Sequence, residues 1–278
     1  MADRFPPDID MDTPDAVRMY DYLLGGKDNF EADRKACDVL LERVPELFTV
    51  ANEHRSYIRR ATEYVASRGV EQFLVLGAGL PSANVTHLAV RAVRPAARVV
   101  YVGDDPVVLA HGRALAADGG RTAFLLGGPG GAERALDCSE VLERIDPGRP
   151  VCVTAGWPLR LSPRGDDPFE GVAALLDRLP PGSHAILSHG VCEDRELAAW
   201  MDDQVRSALG PGSGMRCPGR PADALGGSEA VGAHSDGRDT GPRMVDCATW
   251  RHPERPPRPR PAAPGAAVWE AAAVVVRH

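Results

Sequence analysis

Side chains able to do chemistry crowd one short stretch near the start of the chain. Tyr20-Asp21-Tyr22-Leu23-Leu24-Gly25-Gly26-Lys27-Asp28-Asn29-Phe30 joins a glycine pair to a cation, an acid and an amide. A Gly-Gly corner leading into a helix start presents backbone N–H groups, and a lysine beside it adds positive charge, which together suit an anion. On that reading Lys27 holds an anionic group and Asp28 or Asn29 orients polar atoms of a substrate. The same residues also read as a helix C-cap followed by an Asp N-cap. Arg18 and Tyr22 stand one helical turn apart, as candidates to face a cleft, with core packing as the competing role for Tyr20 or Tyr22. Asn52 and Arg55 share a second helical face aimed at the same region, whereas Arg59 and Arg60 read as a solvated face. His189 stands at the end of a short apolar run, and its ordinary pKa suits a general base. A satisfied structural histidine is the competing account. Trp157 and Arg160 follow another apolar run, where they fill a pocket, or Arg160 binds an anion, or both belong to an irregular loop.

Positioning these groups requires a scaffold, and the hydrophobic pattern supplies one. Thr13-Pro14-Asp15 opens a helix, with Thr13 as cap, and Gly25-Gly26 stops it. A second helix runs from Asp28 toward Val44 and ends at Pro45; a third runs from about Val50 to Ser67 and is closed by Gly69. From there short apolar strands alternate with helices. The strands are Phe73–Leu76, Arg98–Val102, Thr122–Leu126, Val151–Thr154 and Ala185–Ser188. Helices follow near Val85–Val93, from Pro106 to about Ala117, near Ala132–Arg144, at Phe169–Leu179 and from Glu193 to about Leu209. Such alternation predicts an α/β fold with a parallel, doubly wound sheet, whose ligands collect at the carboxyl ends of the strands. Gly77 and Gly79 occupy the first of those ends, although such turns occur at any strand–helix junction. Asp104 and Asp105 occupy the second, one as a site acid and the other as a helix N-cap, in either order. Residues 1–70 read as a helical N-terminal segment and 71–278 as the core. Gly, Pro and Arg dominate 210–265, which reads as a long irregular connection before an apolar strand at Ala267–Val276.

Composition narrows the function classes. A net charge of −7 and an acidic pI near 5.6 exclude general binding to nucleic acid or anionic membrane. No apolar run is long enough to span a bilayer, and the polar N-terminus has no signal-peptide core. Six scattered cysteines without a CxxC pair predict reduced thiols in the cytoplasm and no metal site.

The Tyr20–Phe30 motif, with Val17-Arg18-Met19 before it, closely resembles the actinobacterial S-adenosyl methyltransferase family that carries YDYLLGGKDNF. The resemblance continues through Ala51-Asn52-Glu53-His54-Arg55, Gly77-Ala78-Gly79-Leu80-Pro81, Arg98–Leu115, Leu179-Pro180-Pro181-Gly182-Ser183 and Leu187-Ser188-His189-Gly190. A weaker echo is Trp250-Arg251-His252-Pro253-Glu254. It implies a Rossmann-like class I methyltransferase fold in which residues 1–70 are a helical N-terminal cap over the site. The chain also departs from the family pattern. An aspartate in the first strand is replaced by Val75, and the acid that ends the second strand and holds ribose hydroxyls is replaced by Gly103. Leu126-Gly127-Gly128-Pro129-Gly130 lacks the acidic adenine contact, and Thr154-Ala155-Gly156-Trp157-Pro158-Leu159-Arg160 replaces an apolar run ending in His-Phe. Asp104 stands one position along from the missing ribose acid.

These departures lead to the expectation that S-adenosylmethionine dependence is lost and that no cofactor is used. The expected activity is then a displacement on an anionic small molecule of antibiotic biosynthesis, free or held on a carrier protein. One version is an aziridine-type ring closure that expels sulfate from an amino-acid-like substrate. Lys27, Arg18 and Arg55 would stabilise the leaving anion, and Asp28 or His189 would take the amine proton. A protein partner subunit is expected with it. The alternatives are an S-adenosylmethionine-dependent methyltransferase using Gly77, Gly79, Asp104 and Asp105 for the cofactor, and a non-catalytic scaffold subunit.

Overall fold

The computed structural model describes residues 9–80, 85–103, 105–115, 120–126, 132–156, 168–211, 213, 228–231, 244–254 and 268–278. Asp104, Trp157 and Arg160 lie outside these described residues.

Three helices come first: α1 (Ala16–Leu23), α2 (Glu31–Arg43) and α3 (Leu47–Ser67). Asp15, not Thr13, caps α1, because its side chain accepts from the N–H groups of Val17 and Arg18. Asp28 caps nothing; α2 starts at Glu31, and Asp28-Asn29 stay in the corner between the helices. The alternation that follows gives β1 (Gln72–Leu76), α4 (Thr86–Val93), β2 (Arg98–Gly103), α5 (Pro106–Leu115) and β3 (Thr122–Leu126). Where one helix is expected near Ala132–Arg144, the chain forms a 3-10 turn at Ala132–Asp137 and a short α6 (Ser139–Leu142). Cys138 breaks the run by taking an extended conformation, φ −84° and ψ 120°. Then come β4 (Cys152–Ala155), α7 (Pro168–Asp177), β5 (His184–Cys192), α8 (Arg195–Leu209), β6 (Ser228–Val231), β7 (Val245–Asp246) and β8 (Val268–Arg277).

The eight strands among the described residues join one sheet in the order β3-β2-β1-β4-β5-β8-β6, with β7 also paired to β8. The five strands from β1 to β5 run parallel; β8 returns antiparallel, its register running from His184↔Val276 to Cys192↔Val268. This long pairing extends β5 well past the four-residue strand its apolar run predicts. Period-two alternation splits the core between the two faces. Phe73, Val75, Val99, Tyr101, Ile186 and Ala272 pack on α3 and α4. Leu74, Leu76, Val100, Val153, Leu187 and Ala273 pack on α6 and α7. A third cluster joins α1, α2 and α8 through Met19, Tyr20, Leu23, Cys37, Leu40 and Met201. Part of the Gly/Pro-rich region is ordered into the core, since Trp250 is fully buried against Tyr57.

Strand order reverses between β1 and β4. A crevice opens at the carboxyl ends of an α/β sheet where the order reverses, and here α1 lies near those ends.

Candidate functional site

The N-terminal motif is held together by one buried carboxylate. Asp21 is wholly buried, and its Oδ2 accepts from the Asp28 N–H at 3.0 Å and from Asn29 Nδ2 at 2.8 Å. Asn29 also donates to the Gly26 carbonyl, and its own oxygen accepts from Arg34. Gly25 ends α1 at φ +75°, a conformation glycine adopts without strain. Gly26 answers a different need: a Cβ there would stand 2.0 Å from Asp21 Oδ1. The amide of Asn29 is therefore spent on the corner's own structure. Lys27 is exposed, and Asp28 Oδ1 lies 3.5 Å from His111 Nε2 on α5.

Two buried polar groupings tie α1 down. On the β2 side, Arg18 donates Nε to Asp33 at 3.1 Å and Nη2 to the Thr13 carbonyl at 2.7 Å. Its Nη1 lies 3.7 Å from Asp105 Oδ2, and its guanidinium lies over the Phe30 ring. Arg18, Asp33 and Asp105 are all buried. Asp105 also caps α5 by accepting from the Val107 N–H at 2.7 Å, so it takes the N-cap role at the β2 exit. Burial, reinforced by the Asp105 charge, pushes the Asp15 carboxyl up to about 6.

On the β5 side, Tyr20 Oη stands 2.6 Å from His54 Nδ1, and His54 Nε2 stands 2.8 Å from Ser188 Oγ. All three residues are buried. Burial lowers the His54 pKa to about 3, so the ring is neutral near pH 7 and carries one proton between its two nitrogens. Burial foremost, then the Glu270 charge, raises the Tyr20 phenol well above its ordinary value. Gly156, just past β4, leaves the space this chain needs, because a Cβ there would stand 2.2 Å from Ser188 Oγ. Arg18 and Tyr20, two residues apart, thus anchor α1 over two different parts of the sheet.

The exits of β1 and β2 are backbone-built. Gly77 turns at φ +74°, and the N–H groups of Gly77 and Ala78 both donate to the Val102 carbonyl. A Cβ at Gly103 would meet the Ala78 side chain at 3.1 Å and its backbone oxygen at 3.3 Å. The missing side chain at 103 and the small one at 78 are therefore one packing feature. Val75 is buried in the α3-side core.

The structure does not bring Lys27, Asp28 and His189 together. His189 is buried on the other face of β5 from Ser188, edge-on to Phe169 of α7, and its Nδ1 donates to the Gly190 carbonyl. Tyr22 donates to Asp38 at 3.0 Å and packs on Phe48, away from Arg18. Asn52 donates to the Phe48 carbonyl and accepts from Arg55, a local pairing on the α3 surface. Sequence reasoning missed Asp21, Asp33, His54 and Ser188. Two carried a signal: His54 falls on the α3 stripe of Val50, Ala51, Tyr57 and Ile58, and Asp33 on the α2 stripe of Cys37 and Leu40.

Comparison with known proteins fits this architecture. A family model described as S-adenosyl methyltransferase matches residues 2–272. A Thermobifida fusca protein provisionally assigned as a methyltransferase has a crystal structure that superposes with a TM-score of 0.81 at 35% identity, covering 98% of each chain. A DUF574 family protein from Streptomyces avermitilis superposes with a TM-score of 0.81 at 28% identity, covering 97% of this chain and 99% of that one. No curated protein matches. The sheet is that of a Rossmann-like class I methyltransferase, and with a family model spanning nearly its whole length the chain belongs to the S-adenosyl methyltransferase family.

Proposed function

We propose that this protein transfers a methyl group from S-adenosylmethionine to a small-molecule acceptor held beneath α1. The observation that carries the reading is the β1 exit at the switch point. Gly77 takes a left-handed turn there beside the side-chain-free Gly103, in a family member whose sheet keeps the methyltransferase order. The residues present fit the cofactor through backbone more than through side chains. Val75 and Gly103 offer no acid, and Asp105 is committed to α5 and Arg18. The ribose hydroxyls therefore fall to Asp104 on this reading. When bound, S-adenosylmethionine supplies a sulfonium-activated methyl group. The protein's part is to position and enclose: Arg18 and Tyr20 pin α1 over the crevice, and His54 passes a hydrogen bond from the cap to Ser188 on the sheet.

The cofactor-free displacement is supported less well. It asks Asp28 or His189 to take a proton beside an anion held by Lys27, Arg18 and Arg55, whereas Asp28 faces His111, His189 faces Phe169 and Arg18 is engaged by Asp33 and Asp105. The missing acids at 75 and 103 favour it, and sulfate release from a sulfated amino acid is its readout.

Calorimetric titration with S-adenosylmethionine and S-adenosylhomocysteine tests the choice. Micromolar binding, weakened about 10-fold or more in Asp104→Ala, supports methyl transfer, since one charged hydrogen bond contributes about 1.5–3 kcal/mol. Absence of binding at millimolar cofactor refutes it.

A further inference from the structure

A cavity of about 370 Å³ lies at the opposite end of the sheet from the crevice. Val70, Pro150 and Gly182 line it, and these residues precede β1, β4 and β5, so the cavity opens at the amino ends of the parallel strands. Val276 closes the same end, because β8 runs antiparallel. Methyl transfer at the carboxyl ends makes no use of it.

The lining is chemically divided. Val70, Pro150, Val231 and Val276 form an apolar wall. Tyr64, Arg68, His184 and His278 supply the polar side. His184 donates Nδ1–H to the Gly182 carbonyl at 2.8 Å, which fixes the ring and leaves Nε2 as its other polar atom. Arg68 lines the same cavity as the ring, and burial foremost, with the Arg68 charge acting the same way, lowers the His184 pKa. A second guanidinium is near: Arg94 Nη2 lies 3.9 Å from where a Cβ on Gly69 would be, and Gly69 also lines the cavity. Ligand pockets run to about 300–1,000 Å³ and set placed polar groups against apolar walls; this cavity is of that size, with polar and apolar side chains in similar share.

We propose that the cavity is a second ligand site, taking a small carboxylate with an apolar body. The carboxylate rests against Arg68, where a planar guanidinium matches its two oxygens. The apolar body lies along Val70, Pro150 and Val276, and the His184 ring marks the inner end. The cavity is separate from the strand ends proposed to hold the cofactor and acceptor, so its ligand binds independently of methyl transfer.

Benzoate is the probe, with neutral benzamide as its control, titrated into the full chain and followed by the His184 ring resonances. Benzoate should shift those resonances saturably, and benzamide should bind at least about 10-fold more weakly, as loss of a charge-assisted pair requires. Arg68→Met should weaken benzoate by a similar factor while leaving S-adenosylhomocysteine binding and Tm unchanged, because Arg68 is exposed at the end of α3. Val276→Phe, which fills the cavity from the apolar side, should abolish the shift. Unmoved His184 resonances at saturating benzoate, equal binding of benzamide, or an unaffected Arg68→Met would each overturn the assignment.

Discussion

Gly26→Ala should unlock the corner built by the N-terminal motif. The new Cβ would stand 2.0, 2.4 and 2.5 Å from Oδ1, Cγ and Oδ2 of Asp21. Asp21 is wholly buried and short, so its carboxylate has to leave its place, and with it go the bonds from the Asp28 N–H and Asn29 Nδ2. Hydrogen bonds to charged groups contribute about 1.5–3 kcal/mol each, and water recovers part of the loss at the half-buried Asp28 N–H, leaving about 2–4 kcal/mol. For a chain this long that lowers Tm by roughly 5–15 °C. The φ of Gly26 is not left-handed, so the cost is contact with Asp21 and not backbone strain. A double-mutant cycle isolates it. In an Asp21→Ala background, Gly26→Ala should cost less than about 1 kcal/mol, because the atoms it meets are gone. Lys27→Ala, at an exposed position, should leave stability within about 0.5 kcal/mol. Additive costs for the two substitutions in urea denaturation would refute the reasoning.

Three further outcomes are expected. Arg18→Met strands Asp33 and Asp105 without their guanidinium and should cost about 3–5 kcal/mol by urea denaturation, with little recovered at higher salt because the cluster is buried. The Asp15 carboxyl, raised from 3.8 to about 6 in the folded state, adds stability that is full below pH 3.8 and lost as pH rises through 6. Asp15→Asn keeps the α1 cap and should therefore stabilise by about 1–2 kcal/mol at pH 8, with the gain gone near pH 4; equal gains at both pH values would contradict this. The His54 pKa is depressed from 6.5 to about 3, so its neutral ring favours folding above pH 6.5, and that advantage drains away as pH falls toward 3. In the Asp15→Asn background this should appear as an acid slope of up to about 1.4 kcal/mol per pH unit, flattened by His54→Gln.

The fold was legible because its signals are local. Apolar runs such as Leu74-Val75-Leu76 and Val99-Val100-Tyr101 mark strands buried on both faces, and Gly25, Gly69 and Gly182 mark turns that take positive φ. The misplaced helix near Ala132–Arg144 had helical periodicity throughout; only the extended backbone at Cys138 divides it. Ser188 and His189 are neighbours in sequence, but strand alternation sends one to His54 and the other to Phe169. No spacing rule told which of the two would face the cap. Asp28 looked like a helix cap because its type and position suit one, yet its backbone N–H is held by Asp21.

The sequence alone determined the alternating architecture and the family, since each rests on nearest-neighbour pattern or on a contiguous motif. Tertiary structure alone decided which polar groups work together. The Tyr20–His54–Ser188 chain spans 134 residues between its last two members, and the Arg18–Asp105 pair joins the first helix to the exit of β2. Pairing of this kind depends on which faces the packed helices and strands turn toward one another. That is settled only when burial makes an unpartnered charge or hydroxyl too costly to keep.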